Sequence, residues 1–136
     1  MIADEYADIA LRMGKQSILT ATRVPEQIPC RLVYFDPGSA VLSQHGVAVV
    51  IDMAAHILAE NPTRVVITGH TDLVGDDADN LSLGRYRALL VRSWLSIHKV
   101  PLAIMVCVSE GSRKPFVNTG TNISESANRR VEVTLE

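Results

Sequence analysis

Three polar residues in the middle of the chain have the types and spacing to recognise a small charged ligand. Asp72 lies in a polar loop, and Asn80 and Arg87 follow on a predicted helix. Positions 80, 83 and 87 share one helix face, with Leu83 between the two polar side chains. The guanidinium fork of Arg87 suits a carboxylate, and Asp72 supplies the opposite charge. The arrangement favours a ligand that carries both an ammonium and a carboxylate, such as an amino-acid head.

The same spacing is equally compatible with a purely structural role. Asp72 and Arg87 could pair with each other, or Asp72 could cap its own loop. Ion pairs of this kind are common on protein surfaces and often add little to stability. Spacing alone therefore leaves both interpretations open.

The histidines and carboxylates of this loop do not have the pattern of a catalytic metal site. His70 and Asp72 could supply two zinc ligands, but the sequence offers no third ligand with HxxxH or HExxH spacing. Asp76, Asp77 and Asp79 do not follow the spacing of an EF-hand, which favours a solvated loop. No Gly-Xaa-Ser-Xaa-Gly motif or phosphate loop occurs. We therefore predict no enzyme, no metal site and no cofactor.

The length and composition are those of a single domain with enough apolar residues to form a hydrophobic core. The chain has 136 residues, of which 47% are hydrophobic and 21% charged, and this excludes a disordered tail. The net charge of −2 gives no reason to expect nucleic acid as a partner. The apolar runs are far too short to cross a bilayer, so no membrane insertion by this chain is expected.

The hydrophobic pattern predicts a single α/β (α+β) sandwich with the order β-α-β-α-β-β. Two helices are expected to pack on a mixed four-stranded sheet. We assign residues 28–136 to this domain and residues 1–27 to an N-terminal arm or linker, with an apolar stripe at Ile2, Tyr6, Ile9 and Met13. The predicted strands are 31–35, 64–68, 104–108 and 130–135. The last strand alternates apolar and polar residues, which indicates antiparallel pairing with one wet face.

Both predicted helices carry apolar stripes. The first is expected over 44–60, between a cap at Ser43 and a stop at Pro62. The second is expected to begin at a cap on Asn80 or Ser82 and to end near His98. The residues expected on the two stripes are Val47, Val50, Ile51, Ala54, Ile57 and Leu58 in the first helix and Leu83, Tyr86, Leu90, Trp94 and Ile97 in the second.

Three motifs in order resemble the OmpA-like peptidoglycan-binding domain family. They are TGHTDLVG at 68–75, NLSLGRYRA at 80–88 and NRRVEV at 128–133, supported by VYFD at 33–36 and VSEGSRKP at 108–115. The resemblance spans about residues 30–136. It is greatest to the peptidoglycan-associated lipoprotein branch, whose pattern also has a Leu-Gly pair where many relatives have Leu-Ser.

The resemblance implies a site for the diaminopimelate of the peptidoglycan stem peptide. Asp72 and Arg87 occupy the positions that contact it in the family, and its far end carries an ammonium and a carboxylate on one carbon. The family's loop asparagine falls on Asn80 and its apolar wall on Leu83. The rest of the implied groove is Thr71, Gly75, Phe35, Asp36 and Arg129.

The resemblance also implies a role and a place in the cell. We expect a non-catalytic domain that anchors an envelope protein or complex to the cell wall in the Gram-negative periplasm. A segment outside this chain would tether it to the outer membrane, and residues 1–27 would contact other envelope proteins. The alternative is a structural part of an envelope secretion or stator assembly that uses the fold mainly for protein contacts. Pro37 and Gly38 depart from the family's usual Phe-Asp, and Tyr86 stands where a small or basic residue is common.

Overall fold

The computed structural model describes residues 30–136, in which two helices pack on a mixed four-stranded sheet. This confirms the predicted fold class and element order. The strands are β1 (Cys30–Tyr34), β2 (Val65–His70), β3 (Met105–Gly111) and β4 (Arg130–Leu135), and the helices are α1 (Gln44–Glu60) and α2 (Asp77–Ile97). Short 3-10 turns precede β3 and β4 at Leu102–Ile104 and Ser126–Asn128. The apolar stripe predicted within residues 1–27 lies outside the described residues.

The sheet has the strand order β1-β4-β2-β3, so the last strand of the chain lies inside the sheet. β4 pairs antiparallel with β1 and with β2, and β2 pairs parallel with β3. Val131 and Val133 of β4 are buried in the core, whereas Arg130 and Glu132 alternate with them and lie on the opposite face. The antiparallel pairing is thereby confirmed, and the opposite face is polar, with Arg130 buried and Glu132 partly exposed.

The core lies between the sheet and the helices. Each of its large apolar side chains contributes about 1.5–3 kcal/mol through burial. Its fully buried members include Val33, Ile67, Val133, Val50, Ile57, Val91 and Leu95. Neither helix within residues 30–136 is both long enough and apolar enough to cross a bilayer.

α2 begins earlier than predicted, because its N-cap is Asp76 and neither Asn80 nor Ser82. The Oδ1 atom of Asp76 accepts a hydrogen bond of 2.8 Å from the backbone N–H of Asp79. Asp77 and Asp79 then lie in the first turn, where negative charge suits the positive end of the helix dipole. Asn80 is consequently a residue of the helix itself, and its side chain is left to bond elsewhere.

The buried face of α2 is displaced from the predicted stripe. Leu90 and Trp94 only border the core, and Tyr86 and Ile97 are exposed. The large apolar residues suggested the wrong face because the contact with the sheet is made by a mixture of small, apolar and polar residues. Those buried residues are Asn80, Gly84, Arg87, Ala88, Val91 and Leu95. In α1, likewise, Ile51 and Leu58 are exposed although both were placed on the stripe.

β2 and α2 approach each other at two glycines, and this contact can be tested. A Cβ atom on Gly69 would overlap the backbone carbonyl of Gly84. We expect Gly69→Ala to lower the free energy of unfolding by about 1–3 kcal/mol, because the strand and the helix must move apart. Gly120→Ala is the control, since its Cβ would meet only Ile123 Cδ1 at 3.5 Å. Equal urea midpoints for the two variants would contradict this prediction.

Candidate ligand-binding site

Most of the predicted site residues meet where β1 and β2 end and β4 begins. Phe35 and Asp36 follow β1, Thr71 and Asp72 follow β2, and Arg129 precedes β4. The backbone N–H of Phe35 donates to the carbonyl of Arg129 at 2.9 Å. The order of strands in the sheet therefore brings together residues that are far apart in the sequence.

Arg87 is fully buried, and its guanidinium donates hydrogen bonds to three backbone carbonyl groups. Nε donates to Ser39 at 2.7 Å, Nη1 to His70 at 2.9 Å and Nη2 to Asp36 at 3.0 Å. Its Cζ atom lies 5.1 Å from the centre of the Phe35 ring. These bonds make Arg87 a positioning residue that ties α2 to the ends of β1 and β2. Its direct contact with a ligand stays a prediction.

Arg87 donates hydrogen bonds to the carbonyls at both ends of a tight turn after β1, those of Asp36 and Ser39. The N–H of Ser39 donates to the carbonyl of Asp36 at 3.1 Å, and Gly38 has a φ of 64°. Proline in the second position and a positive φ in the third are typical of a type II turn. Pro37 and Gly38, which depart from the family pattern, thus form the turn whose end carbonyls Arg87 binds. The carboxylate of Asp36 remains exposed beside it.

The site keeps its positive charge at neutral pH. Burial lowers the pKa of Arg87 to about 10, while Asp72 raises it and Arg129 lowers it. A pKa near 10 leaves the guanidinium protonated at pH 7. All three of its hydrogen bonds go to neutral carbonyls, so the charge of Arg87 has no directly bonded anion among the described residues. A buried cation of this kind favours an anionic group nearby.

Asp72 forms its ion pair with Arg129, at 3.1 Å between Oδ2 and Nη1. The two side chains are only 10% and 11% exposed, respectively. Oδ2 also accepts from the hydroxyl of Ser124 at 3.4 Å and the N–H of Glu125 at 3.3 Å, and Oδ1 accepts from the N–H of Val74 at 3.3 Å. Asp72 therefore links its own loop to Ser124–Glu125 and to Arg129, and it is the negative partner of the ion pair.

Asn80 and Thr71 hold the loop that contains Asp72. Nδ2 of Asn80 donates to the carbonyl of Val74 at 3.0 Å and lies 3.5 Å from that of Asp72. The hydroxyl of Thr71 donates to the carbonyl of Asp72 at 2.8 Å. Both predicted site residues thus position the aspartate within the structure.

Gly75 and Leu83 lie to the side of the charge pair. Gly75 is exposed with a φ of 89°, and its N–H donates to Oδ1 of Asn122 at 3.2 Å. Leu83 is half-buried on α2, one turn before Arg87. Neither residue makes a hydrogen bond to Asp72 or Arg129 among those found in residues 30–136, and their contact with a ligand stays a prediction.

A groove of about 550 Å³ opens along β1 beside the charge pair. Three predicted site residues line it, namely Phe35, Asp36 and Arg129. Its volume lies within the range of small-molecule sites. The remaining wall is largely apolar and includes Leu32, Tyr34, Val41, His45 and Val49.

Sequence reasoning missed a polar cluster behind the site, formed by His70, Arg130 and Glu132. Arg130 donates to Oε2 of Glu132 from Nε at 2.8 Å, and its Nη2 lies 2.7 Å from the same oxygen. Nε2 of the buried His70 lies 3.6 Å from it. The alternation of β4 already placed Arg130 and Glu132 on one face, but the nearness of His70 follows only from the pairing of β2 with β4.

The cluster predicts a loss of stability in acid. His70 and Arg130 lower the pKa of Glu132 from 4.5 to about 2, against an opposing effect of burial. A depressed carboxyl pKa stabilises the fold above pH 4.5, and this contribution is lost as the pH falls toward 2. We expect Glu132→Gln to be less stable than wild type at pH 7 and to lose less stability between pH 4.5 and 2. Glu60→Gln, at an exposed acid on α1, is the control. If the free energy of unfolding, measured with urea, depends on pH in the same way for both variants, Glu132 is not the source of the acid sensitivity.

Within residues 30–136, no group of three or more His, Cys, Asp or Glu side chains is placed to hold a metal ion.

Residues 34–129 match the family model described as the OmpA family. The chain belongs to the OmpA family. This OmpA-family chain is 34% identical over 100 residues to the peptidoglycan-associated lipoprotein of Pseudomonas putida, covering 74% of the chain and 60% of that protein. It is 31% identical over 104 residues to outer membrane porin F of Pseudomonas fluorescens, covering 76% of the chain but 32% of the porin. The chain thus spans about three fifths of the lipoprotein and one third of the porin.

Among solved structures, this OmpA-family domain is similar to the crystal structure of the peptidoglycan-associated lipoprotein from Burkholderia pseudomallei. The two are 33% identical with a TM-score of 0.71, covering 78% of this chain and 90% of that one. The expectation that this domain is not an enzyme agrees with its membership of the OmpA family.

Proposed function

We propose that this OmpA-family domain binds peptidoglycan through the diaminopimelate of the stem peptide and anchors an envelope protein or complex to the cell wall. The similarity to peptidoglycan-associated lipoproteins supports the wall as partner and the periplasm as compartment. The observation that carries the finer proposal is the ion pair between Asp72 and Arg129, because Arg129 lines the groove together with the exposed Asp36.

The charges of the site suit the far end of diaminopimelate, which has an ammonium and a carboxylate on one carbon. Nε of Arg129 donates to the carbonyl of Phe35 at 3.0 Å, and Nη1 is bonded to Asp72 and Ser124. No hydrogen bond within residues 30–136 uses its Nη2, which leaves that nitrogen for a ligand carboxylate. The exposed carboxylate of Asp36, on the wall of the same groove, is then available to the ammonium.

The remaining parts of the proposal concern the longer protein. A segment outside this chain would tether the domain to the outer membrane, and residues 1–27 would contact other envelope proteins. The alternative role in a secretion or stator assembly stays a prediction.

Co-sedimentation with purified diaminopimelate-type sacculi tests the proposed site. We expect Arg129→Ala to bind at least tenfold more weakly, because one charge-assisted hydrogen bond contributes about 1.5–3 kcal/mol. Arg113→Ala is the matched control, since this exposed arginine pairs with Glu110 at the end of β3. If Arg129→Ala and Arg113→Ala sediment equally with wild type, Arg129 does not bind the wall.

A further inference from the structure

We propose that Ser124 is a positioning residue that makes the site select for the far carboxylate of diaminopimelate. Its hydroxyl contacts both members of the ion pair, Asp72 and Arg129, and holds the guanidinium in the orientation in which Nη2 is offered to that carboxylate. The inference rests on the proposed function, since it concerns the same ligand. Ser124 is not among the residues predicted for the site from the sequence.

The chemistry of its two neighbours fixes the direction of the Ser124 hydroxyl. A guanidinium has only donors, so the 2.9 Å contact between Nη1 of Arg129 and Oγ makes the hydroxyl an acceptor there. Its single proton is then left for Oδ2 of Asp72 at 3.4 Å, because an ionised carboxylate can only accept. Nη1 also donates directly to the same Oδ2 at 3.1 Å, which closes a hydrogen-bonded triangle of three atoms. The hydroxyl therefore accepts from the cation and donates to the anion, which strengthens the pair.

Within residues 30–136, hydrogen bonds use every N–H of Arg129 except those of Nη2. Nε donates its one proton to the carbonyl of Phe35 at 3.0 Å, and the two protons of Nη1 go to Asp72 and Ser124. Because the guanidinium is planar, bonds at Nε and at both protons of Nη1 fix the direction in which Nη2 points. Without the serine hydroxyl, one Nη1 proton loses its acceptor and the plane can tilt about the bonds that remain.

The segment that carries Ser124 is itself held by hydrogen bonds on both sides. The N–H of Asn122 donates to the carbonyl of Leu73 at 2.9 Å, and its Oδ1 accepts from the N–H of Gly75 at 3.2 Å. Asn122 has a φ of 59°, a left-handed conformation that asparagine adopts more readily than most residues. The residue after Ser124 donates its N–H to Oδ2 of Asp72 at 3.3 Å. A hydroxyl placed in this way is preorganised, so little entropy is lost when it orients the arginine for a ligand.

The orientation of Nη2 matters only to a ligand that has a carboxylate at this point. Diaminopimelate has one, whereas lysine in the same position of a stem peptide keeps the far ammonium and lacks the carboxylate. If Ser124 acts through Arg129, its removal must therefore change the ratio of the two affinities. A general loss of structure would weaken the binding of both peptides alike.

Calorimetric titration with two stem tripeptides, one ending in diaminopimelate and one in lysine, tests this role. We expect Ser124→Ala to bind the diaminopimelate peptide about 3–10-fold more weakly, as for the loss of one hydrogen bond, and the lysine peptide with unchanged affinity. Ser124→Thr keeps the hydroxyl and should restore the ratio of the two affinities. Ser112→Ala is the matched control, because the Ser112 hydroxyl also donates to a carboxylate, that of Asp77 at 3.3 Å, just after the end of β3.

A second measurement reports on Arg129 without any ligand. In NMR spectra of the arginine side-chain N–H groups, the two Nη1 protons of Arg129 should exchange with each other slowly in wild type, because each has its own acceptor. The exchange should be faster in Ser124→Ala and slow again in Ser124→Thr. Equal exchange rates in wild type and Ser124→Ala would show that the hydroxyl does not hold the guanidinium.

Two results of the titration would overturn the role of Ser124 and leave the proposed function standing. One is a wild type that prefers the diaminopimelate peptide together with a Ser124→Ala variant that keeps the full preference. The other is an equal loss of affinity for both peptides in Ser124→Ala, which would place the effect in the fold. If wild type binds both peptides equally, or binds neither, diaminopimelate recognition fails and the role of Ser124 in it fails as well.

Discussion

An Arg87→Ala variant is expected to lose about 3–5 kcal/mol of its free energy of unfolding, as when one partner of a buried charged network is removed. The substitution deprives the carbonyls of Asp36, Ser39 and His70 of a charged donor and opens a cavity against the Phe35 ring. A buried carbonyl that loses its donor, such as that of His70, costs about 1–3 kcal/mol, whereas the carbonyl of Asp36 keeps the N–H of Ser39. A weaker affinity for the cell wall in this variant would therefore reflect a disrupted site.

Arg87→Lys is the matched variant for this prediction. A lysine keeps the positive charge, but its single nitrogen does not reproduce the planar fork that reaches three carbonyls. We expect its stability to lie between wild type and Arg87→Ala in urea unfolding followed by circular dichroism. If Arg87→Ala lies within about 1 kcal/mol of wild type, the three hydrogen bonds do not hold the site together.

Asp72→Ala is expected to lower the free energy of unfolding by about 2–4 kcal/mol and to abolish measurable binding to sacculi. The carboxylate accepts from Arg129, Ser124, Glu125 and Val74, so its removal releases three loop segments and leaves Arg129 without its ion pair. This substitution also removes the ion pair that orients Arg129 at the proposed site. Both its stability and its affinity for the wall should therefore fall.

Asp36→Ala is the control that separates these two effects. Asp36 carries an exposed carboxylate in the same site, and only its backbone carbonyl is bonded to Arg87. Its substitution should leave the urea midpoint near that of wild type and weaken only wall binding. Equal stability of Asp72→Ala and Asp36→Ala would show that the Asp72 bonds do not organise the loops.

The fold was predictable from the sequence because it depends on local patterns. β-branched runs marked the strands, and the alternation in β4 marked its antiparallel pairing. The start of α2 was predicted wrongly because Asp76, Asn80 and Ser82 can all serve as caps, and hydrophobic spacing does not choose between them. The buried face of α2 was missed because a close approach to β2 at Gly69 and Gly84 determined which side packs.

The structure brings several of the predicted site residues together, but their pairings could not be predicted from the sequence. Local spacing indicated that Asp72 and Arg87 act together, whereas the ion pair joins Asp72 to Arg129, 57 positions away. Likewise, nothing in the sequence indicated that Arg87 would bind the carbonyls of Asp36 and Ser39. Such contacts depend on how loops from different strands converge, and this follows from the strand order of the sheet.

Calorimetric titration of wild type with two stem tripeptides is the most direct measurement of diaminopimelate recognition. One tripeptide ends in diaminopimelate and the other in lysine, which keeps the far ammonium but lacks the carboxylate beside it. We expect at least tenfold tighter binding of the diaminopimelate peptide, as for one charge-assisted hydrogen bond to Arg129. Equal affinities for the two peptides, or no binding of either, would contradict recognition of diaminopimelate by Asp72, Arg129 and Asp36.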